Sequence, residues 1–409
     1  MDVTDQENLP RGIELTSLSA EFRADPHGVL GRARAQCPVI HDGVLRDYVV
    51  LSAELGRKIL ADRALPTDPR QTAPSSTRRL RGEDLTKAPP LLFADDPDHR
   101  RVRGLMRQAF NQERIELVRA RVARICHDLI DRIDGEAFDF IEAIARPLPT
   151  ITIAEMLGVD PAQHENFKLW SDEMVAASLN PLASPQAKAA GAAAAISLNA
   201  LFAAEIARRQ AAGVDGEDLL SQIMRAEDGG DRLSPEEISE QAQLLLIAGN
   251  QTTTDLMGTM LRNILSTSGC WDRLVANPDL IPNAVDEAIR FEPPIFTTER
   301  IAPEDMDLAG LTVPKGYCIA VMLPSVNHDP ALNPAPETFD IERQNIRHFS
   351  FGGGRHTCLG APLARLEGQE LLRALTGRMP RLRQADGEAA IVSMSPGFRG
   401  LDHLHLIRG

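Results

Sequence analysis

The sequence predicts a mainly α-helical protein that carries small β-sheets. Two observations predict it. Apolar residues recur at helical spacing over long stretches, at 97–133, 177–211 and 233–265. Strand-like alternation is confined to short segments, at 47–53 and 307–323. Hydrophobic residues make up 43% of the chain and aromatics only 4%, so the core must be built mainly from aliphatic side chains.

Taken in order, the chain to about Leu60 mixes short apolar runs with turns, and DYVVLSA (47–53) alternates as a short strand. Residues 64–93 are rich in Pro, Ser and Thr and predict a long irregular loop with one short helix, a length that usually serves a function or is disordered. Helical spacing runs from 97 to 133, and RPLPT (146–150) is expected to break it before helix resumes through ITIAEMLGV. The Ala-rich stretch 177–211 predicts helix, interrupted at Asn180-Pro181. A long helix follows from 233, with Ser234 as N-cap and Pro235 and Glu237 in its first turn. Helices continue to Arg290. DLAGLTVPKGYCIAVML (307–323) predicts a hairpin that turns at Pro314-Lys315-Gly316. One more helix from Ala361 to about Gly377 and a strand-like tail complete the chain. No internal repeat is recognisable.

The length of 409 residues by itself suggests two or three domains. A formal net charge of −14 argues against nucleic acid as a partner. Five cysteines, an odd number at long spacings without any CxxC, argue against a disulfide framework or a zinc site. The start MDVTDQENLPRGIEL lacks the pattern of a signal peptide, and residues 1–15 are expected to be flexible. No stretch reaches the ~18 uncharged apolar residues of a membrane span, so no membrane association and a reducing cytoplasm are expected.

The chemistry is concentrated in HFSFGGGRHTCLGAPLARLEGQELL (348–372). Gly352, Gly353 and Gly354 permit close backbone approach. Cys358 then stands just ahead of a helix that begins near Pro362. Amides and the helix dipole there favour thiolate over thiol. Such a thiolate is a nucleophile or a metal ligand. His356 is two residues away as a candidate base, but ligand is the better reading.

Phe351-Gly352-x-Gly354-x-His356-x-Cys358-Leu359-Gly360, continued by Leu363-Ala364-Arg365, resembles the haem-binding signature of the cytochrome P450 family. Three further segments agree in order: His99-x-x-x-Arg103, Ala248-Gly249-x-x-Thr252 and Glu287-Ala288-Ile289-Arg290. The likeness runs from about residue 90 to the end and is to the soluble bacterial members. It implies a single domain over 1–409, overriding the length prior, with haem between the long central helix and the Cys loop and its helix.

The resemblance also implies roles. Cys358 is the proximal thiolate ligand of a haem b (iron protoporphyrin IX), pushing electron density toward O–O cleavage. His99, Arg103, Arg300 and His356 are the propionate partners, and Gly249, Phe351 and Gly352 line the cofactor. Glu287 and Arg290 lie three apart on one helix face. Alone they would be an ordinary surface pair; the resemblance makes them a buried structural network with Arg343. The other cysteines, Cys37, Cys126, Cys270 and Cys318, are expected to be buried structural thiols.

The stretch IAGNQTTTD (247–255) places hydroxyls inside an apolar helix. Thr252 matches the family threonine that helps deliver protons where oxygen is activated. The residue before it is usually an acid and here is Gln251, which can hold a water but has no proton to give at neutral pH. Asp255 stands where many relatives carry Asn, on the same helical face as Gln251. The acid and amide therefore look exchanged, and Asp255, through Gln251 and water, is expected to feed the proton path. The alternative is that water alone does so and Asp255 pairs with a basic residue.

By the same resemblance, the substrate walls include Leu244, Ile247, Ala248, Ile295, Phe296 and Phe398, with Thr297 and Thr298 as polar spots. This predicts a small, largely apolar organic substrate. Arg78, Arg79 and Arg81 are read as a solvated loop, with capture of a substrate carboxylate as the sharper alternative. No flavin or iron–sulfur segment is recognisable. Electrons are therefore expected from NAD(P)H through a reductase and a ferredoxin (or flavodoxin) that docks on Arg100, Arg101, Arg107, Arg347 and Arg355. The expected enzyme is a monomeric monooxygenase consuming O2. A peroxide-driven haem-thiolate enzyme, suggested only by the missing acid at 251, and a non-enzymatic haem sensor or binder stand as alternatives.

Overall fold

The computed structural model describes residues 6, 8–81, 85, 86, 88–178 and 183–409. They form two compact units: Met1–Asp95 with Asn283–Cys358 and Val392–Gly400, and Asp96–Pro282 with Leu359–Ile391 and Leu401–Gly409.

The first unit is built on a four-stranded sheet in the order Val39–His41, Tyr48–Val50, Cys318–Met322, Thr297–Ile301. Cys318–Met322 pairs parallel with Tyr48–Val50 and antiparallel with Thr297–Ile301. Both faces are covered, which is why CIAVM reads as a continuous apolar run. Val39, Val50, Ile319 and Val321 pack on one side with Ile59, Leu60 and Val326. Ile40, Val49, Met322 and Phe296 pack on the other with Leu15, Phe22 and Leu30.

Three expectations change here. The hairpin turns at Ala309-Gly310, both with positive φ (55° and 85°), and joins Met306–Leu308 to Leu311–Val313. Two successive positive-φ residues make the tight turn whose twist suits a hairpin. The strand after Pro314-Lys315-Gly316 pairs instead with segments distant in sequence, a choice made by burial and invisible to local pattern. Within 1–15, residues 1–5 and 7 lie outside the described residues, but Leu9 and Leu15 are buried in the second apolar layer rather than flexible. Among its described residues, the 64–93 loop carries two short 3-10 turns, Pro69–Gln71 and Thr77–Arg81, rather than one helix.

The second unit is helical. Its central helix, Pro235–Ser266, is 32 residues long. Ser234 Oγ accepts from the Glu237 N–H (3.2 Å) and Glu237 Oε2 from the Ser234 N–H (2.8 Å), a reciprocal cap. This helix packs against Pro147–Leu157, His164–Ser178 and Pro185–Ala212. RPLPT starts a helix rather than breaking one: Pro147 is the first residue of Pro147–Leu157, and Pro149 lies in its first turn, where no N–H is required. The predicted interruption at Asn180-Pro181 lies outside the described residues.

Pro185–Ala212 is long and apolar enough by length and composition to cross a membrane, although Lys188 and Glu205 bound its uncharged stretch. Its buried positions, among them Gly191, Ala194, Leu198, Phe202 and Ile206, form one stripe at helical spacing, the pattern of a helix packed on one face. A three-stranded sheet, in the order Ala137–Asp139, His405–Ile407, Arg383–Gln384, lies in this unit.

Candidate active site

In the first unit, the Cys358 loop is shaped by backbone constraints. Gly352 and Gly354 adopt positive φ (69° and 65°). A Cβ on Gly354 would stand 2.2 Å from the Leu60 carbonyl oxygen, so only glycine fits. The Cys358 N–H donates to the Phe351 carbonyl (2.9 Å), leaving the side chain exposed. The other four cysteines are buried.

Two asparagines that sequence reasoning missed hold the irregular segment leading into this loop. Asn327 Oδ1 accepts from the Phe349 N–H (2.8 Å) while its Nδ2 donates to Ser350 Oγ (2.8 Å). Asn333 grips Arg347 on both sides, donating to its carbonyl (2.7 Å) and accepting from its N–H (3.1 Å). Both asparagines are buried. Their only sequence signal is a pair of amides in a segment rich in turn formers.

Glu287, Arg290 and Arg343 meet in one buried cluster. Arg290 donates to both Glu287 oxygens (2.7 and 2.8 Å), and Arg343 Nε reaches both at 3.1 Å. The Asp340 N–H adds a third donor at 3.0 Å. The remaining guanidinium hydrogens are taken by carbonyls, including Pro336 for Arg290 and Thr338 for Arg343.

Arg300 is 2% exposed. Its guanidinium donates to three carbonyls, those of Glu299 (2.9 Å), Gly353 (3.1 Å) and Leu60 (3.4 Å). Burial, with a contribution from Arg355, pulls it down to about 10. Arg355 bonds Asp95 at 2.8 Å, and His356 Nε2 lies 3.2 Å from Thr67 Oγ1. Arg78, read above as part of a solvated loop, is instead buried on Glu299 at 3.0 Å, and Arg79 donates to the Thr72 carbonyl. The side chain of Arg81 lies outside the described residues.

In the second unit, the central helix is buried along most of its girth around 250–261, but Leu244, Ile247, Ala248, Gln251 and Thr252 keep exposure along one face. A Cβ on Gly249 would meet no atom within 4 Å. Thr252 Oγ1 donates to the Ala248 carbonyl at 2.6 Å. Its oxygen therefore presents lone pairs and stands as an acceptor. Gln251 Nε2 donates to Asp255 Oδ1 at 2.8 Å, and Asp255 Oδ2 is buried with no hydrogen-bond partner. Burial pushes the Asp255 carboxyl up to about 7, against the pull of the Gln251 bond. On the helix Asp98–Ala109, His99 is buried with Nδ1 3.7 Å from Asp96, and Arg103 is half-buried one turn on.

The chain is similar to the cytochrome P450 monooxygenase PikC of Streptomyces venezuelae, at 35% identity over 97% of this chain and 94% of that one. It is 33% identical to the 6-deoxyerythronolide B hydroxylase of Saccharopolyspora erythraea, over 94% and 96% of the two chains. The family profile of cytochrome P450 matches residues 269–375. The chain belongs to the cytochrome P450 family. In structure it resembles CYP109E1 of Bacillus megaterium in complex with testosterone, with a TM-score of 0.84 and 27% identity over 94% of this chain and 99% of that one. This P450 is a monooxygenase, an oxidoreductase that acts on organic substrates with O2, and its family carries haem as cofactor.

The donor set of the first unit suits that cofactor. An exposed thiol on a glycine-constrained loop is a group that could bind the iron of such a cofactor. Arg300 is a buried cation bonded to neutral carbonyls, so an anionic carboxylate such as a propionate would complete it.

One pocket residue is corrected. Phe296 is 1% exposed and packs edge-on against Phe22, with ring centroids 5.3 Å apart, in the apolar layer on the far side of the sheet. Alternation explains it: Ile295 and Thr297 keep exposure while Phe296 between them points the other way. Ile295 forms an antiparallel bridge with Phe398, so these two are brought together. Accordingly, Phe296→Ala is expected to cost ~3–5 kcal/mol in urea unfolding. Ile295→Ala is expected to leave stability almost unchanged and to alter the substrate-induced spectral shift.

Proposed function

We propose that this P450 inserts one oxygen atom from O2 into a small, largely apolar organic substrate, holding haem b through Cys358. The single observation that carries the ligand assignment is the exposed thiol on the glycine-constrained loop, beside a buried arginine that has only carbonyl partners. Haem, when bound, supplies the activation of dioxygen and the transfer of one oxygen atom. Of the cations assigned to its propionates, Arg300 and His356 lie in the first unit, whose loop carries Cys358. Gly249, Phe351 and Gly352 leave it room.

Leu244, Ile247 and Ala248 on the central helix, and Ile295, Thr297 and Phe398 on the first unit, present apolar surface with few polar groups. The similarity to a 6-deoxyerythronolide B hydroxylase and to a P450 solved in complex with testosterone supports an apolar substrate of that character.

Electrons are assigned to NAD(P)H through a reductase and a ferredoxin or flavodoxin. Arg100, Arg107 and Arg347 are exposed and support docking of an acidic carrier. Arg101 and Arg355 are less available, being paired with Glu237 and Asp231 and with Asp95. We read the enzyme as a cytoplasmic monomer with no nucleic-acid or membrane partner. The acidic balance of the chain supports the absence of a nucleic-acid partner in that reading.

Asp255 is assigned as the proton reservoir. Held near neutrality, it is protonated over much of the working range; Gln251 holds its Oδ1, and the proton on Oδ2 passes to a water and on toward Thr252, whose oxygen stands ready to accept, the carboxylate being reprotonated from solvent. The folded value lies above that of an unfolded aspartate. The group is therefore charged only as pH rises through about 7, where its donor capacity is lost; its contribution to stability is full below the ordinary aspartate range and falls as pH rises from there to about 7. In ferredoxin-supported turnover, product formed per NADH is expected to fall as pH rises through about 7. In Asp255→Asn the yield is expected to be several-fold lower and flat across that range. An unchanged yield and an unchanged pH limb in the variant would remove the assignment. Turnover with hydrogen peroxide alone, equal to that with ferredoxin, would instead favour a peroxide-driven enzyme.

A further inference from the structure

The small sheet of the second unit carries a feature that oxygen insertion does not use. His405 is the cross-strand partner of Asp139, so the two side chains share a face of the sheet. His403 lies two residues before His405 and projects to the same side. The intervening Leu404 and the following Leu406 are fully buried on the other face. The alternation HLHL thus anchors the strand with leucines and offers two imidazoles outward.

Their arrangement is ordered. Asp139 Oδ1 accepts from the Ile141 and Leu404 N–H groups (3.0 and 3.1 Å), which fixes the carboxylate. Its Oδ2 lies 2.6 Å from His403 Nδ1, so the ring is oriented with Nδ1 protonated and Nε2 carrying the free lone pair. A carboxylate behind a histidine is the usual outer support of a metal-binding imidazole. The two histidine rings are parallel within 6°, with centroids 5.9 Å apart. One donor atom from each of Asp139, His403 and His405 lies within 4.8 Å of the other two. Glu388 Oε2 stands 3.6 Å from His405 Nδ1, and Asp402 and Glu142 add negative potential at His403. The histidine side chains are 45% and 42% exposed, so an ion in solution reaches them.

We propose that His403 and His405, supported by Asp139 and Glu388, form a surface site for a divalent transition-metal ion. Two imidazoles with the Glu388 carboxylate, and Asp139 as the outer support of His403, suit zinc, nickel or cobalt rather than magnesium or calcium, which prefer all-oxygen sets. Small side-chain rotations bring the donors to the ~2.0–2.2 Å of a zinc site. A bound ion ties the strand Ala137–Asp139 to the C-terminal strand His405–Ile407. The other histidine cluster, His27 with His328 and Glu337, is a poorer candidate. Both ring nitrogens of His328 are already engaged, Nδ1 with Glu337 (3.0 Å) and Nε2 with the Phe291 carbonyl (2.8 Å), and Arg34, Arg290 and Arg399 lie close by.

The test is equilibrium dialysis of the haem-loaded protein against zinc chloride at pH 7.5, compared with His405→Asn and with His403→Asn/His405→Asn. His405→Asn leaves the Asp139–His403 bond in place, so the sheet is retained. The parent is expected to bind one equivalent that the double variant lacks, and the single variant to bind at least ~10-fold more weakly. All three are expected to show the same carbon monoxide difference spectrum. Zinc is also expected to raise the melting temperature of the parent and not of the double variant. The same zinc affinity in parent and variants, or no saturable binding by the parent at 100-fold excess, overturns the site.

Discussion

Cys358→Ala is expected to erase the thiolate-type carbon monoxide difference band and to reduce ferredoxin-supported turnover to background. No other cysteine can take its place: Cys37, Cys126, Cys270 and Cys318 are all buried, and burial raises the Cys126 thiol well above its usual range. The loss is expected to be chemical rather than structural. The loop is held by the Cys358 N–H to Phe351 carbonyl bond and by Gly352 and Gly354, none of which involves the thiol. Because the side chain is exposed, stability of the haem-free protein should change by no more than ~0.5 kcal/mol. A variant that keeps the thiolate-type band would end the assignment of Cys358 as ligand.

Glu287→Gln is expected to be as damaging by a different route. The substitution keeps the shape and removes the charge, leaving the guanidinium groups of Arg290 and Arg343 buried without a counter-ion. Arg290 and Glu287 are fully buried and Arg343 is 8% exposed, so water cannot compensate. Removing one partner from such a cluster costs ~3–5 kcal/mol, against ~5–15 kcal/mol for a whole domain. The cluster also props the thiol loop. Asn327 donates to the Arg290 carbonyl (3.1 Å) and accepts from the Phe349 N–H, while Ser350 Oγ donates to the Ile289 carbonyl (2.6 Å). A large fall in the urea midpoint together with haem lost on gel filtration is the expected pair of results. A midpoint equal to that of the parent would show that the cluster carries no such weight.

These residues differ in how legible they were. The thiol loop was legible because its demands are local: glycine where φ is positive, a cysteine at one position, a proline opening the next helix. The capped central helix was legible for the same reason, since Ser234 and Glu237 act within one turn. Phe296 was misplaced because family position outweighed alternation, although Ile295 and Thr297 on either side carried the correct signal. Arg78 could not be resolved, because its partner Glu299 is 221 residues away. Asn327 and Asn333 were missed because an asparagine that caps a loop has the same local signature as one in an ordinary turn.

By itself the sequence determined the helical class, the thiol, the threonine face of the central helix and the family, all of which rest on short-range spacing. Only the tertiary structure decided which strands pair, which side of the sheet Phe296 faces, and that Asp255 is buried with one oxygen unsatisfied. The physical reason is common to all three. Strand pairing and burial are set by segments far apart in the chain, and a carboxyl is pushed toward neutrality only when distant side chains have excluded water from it.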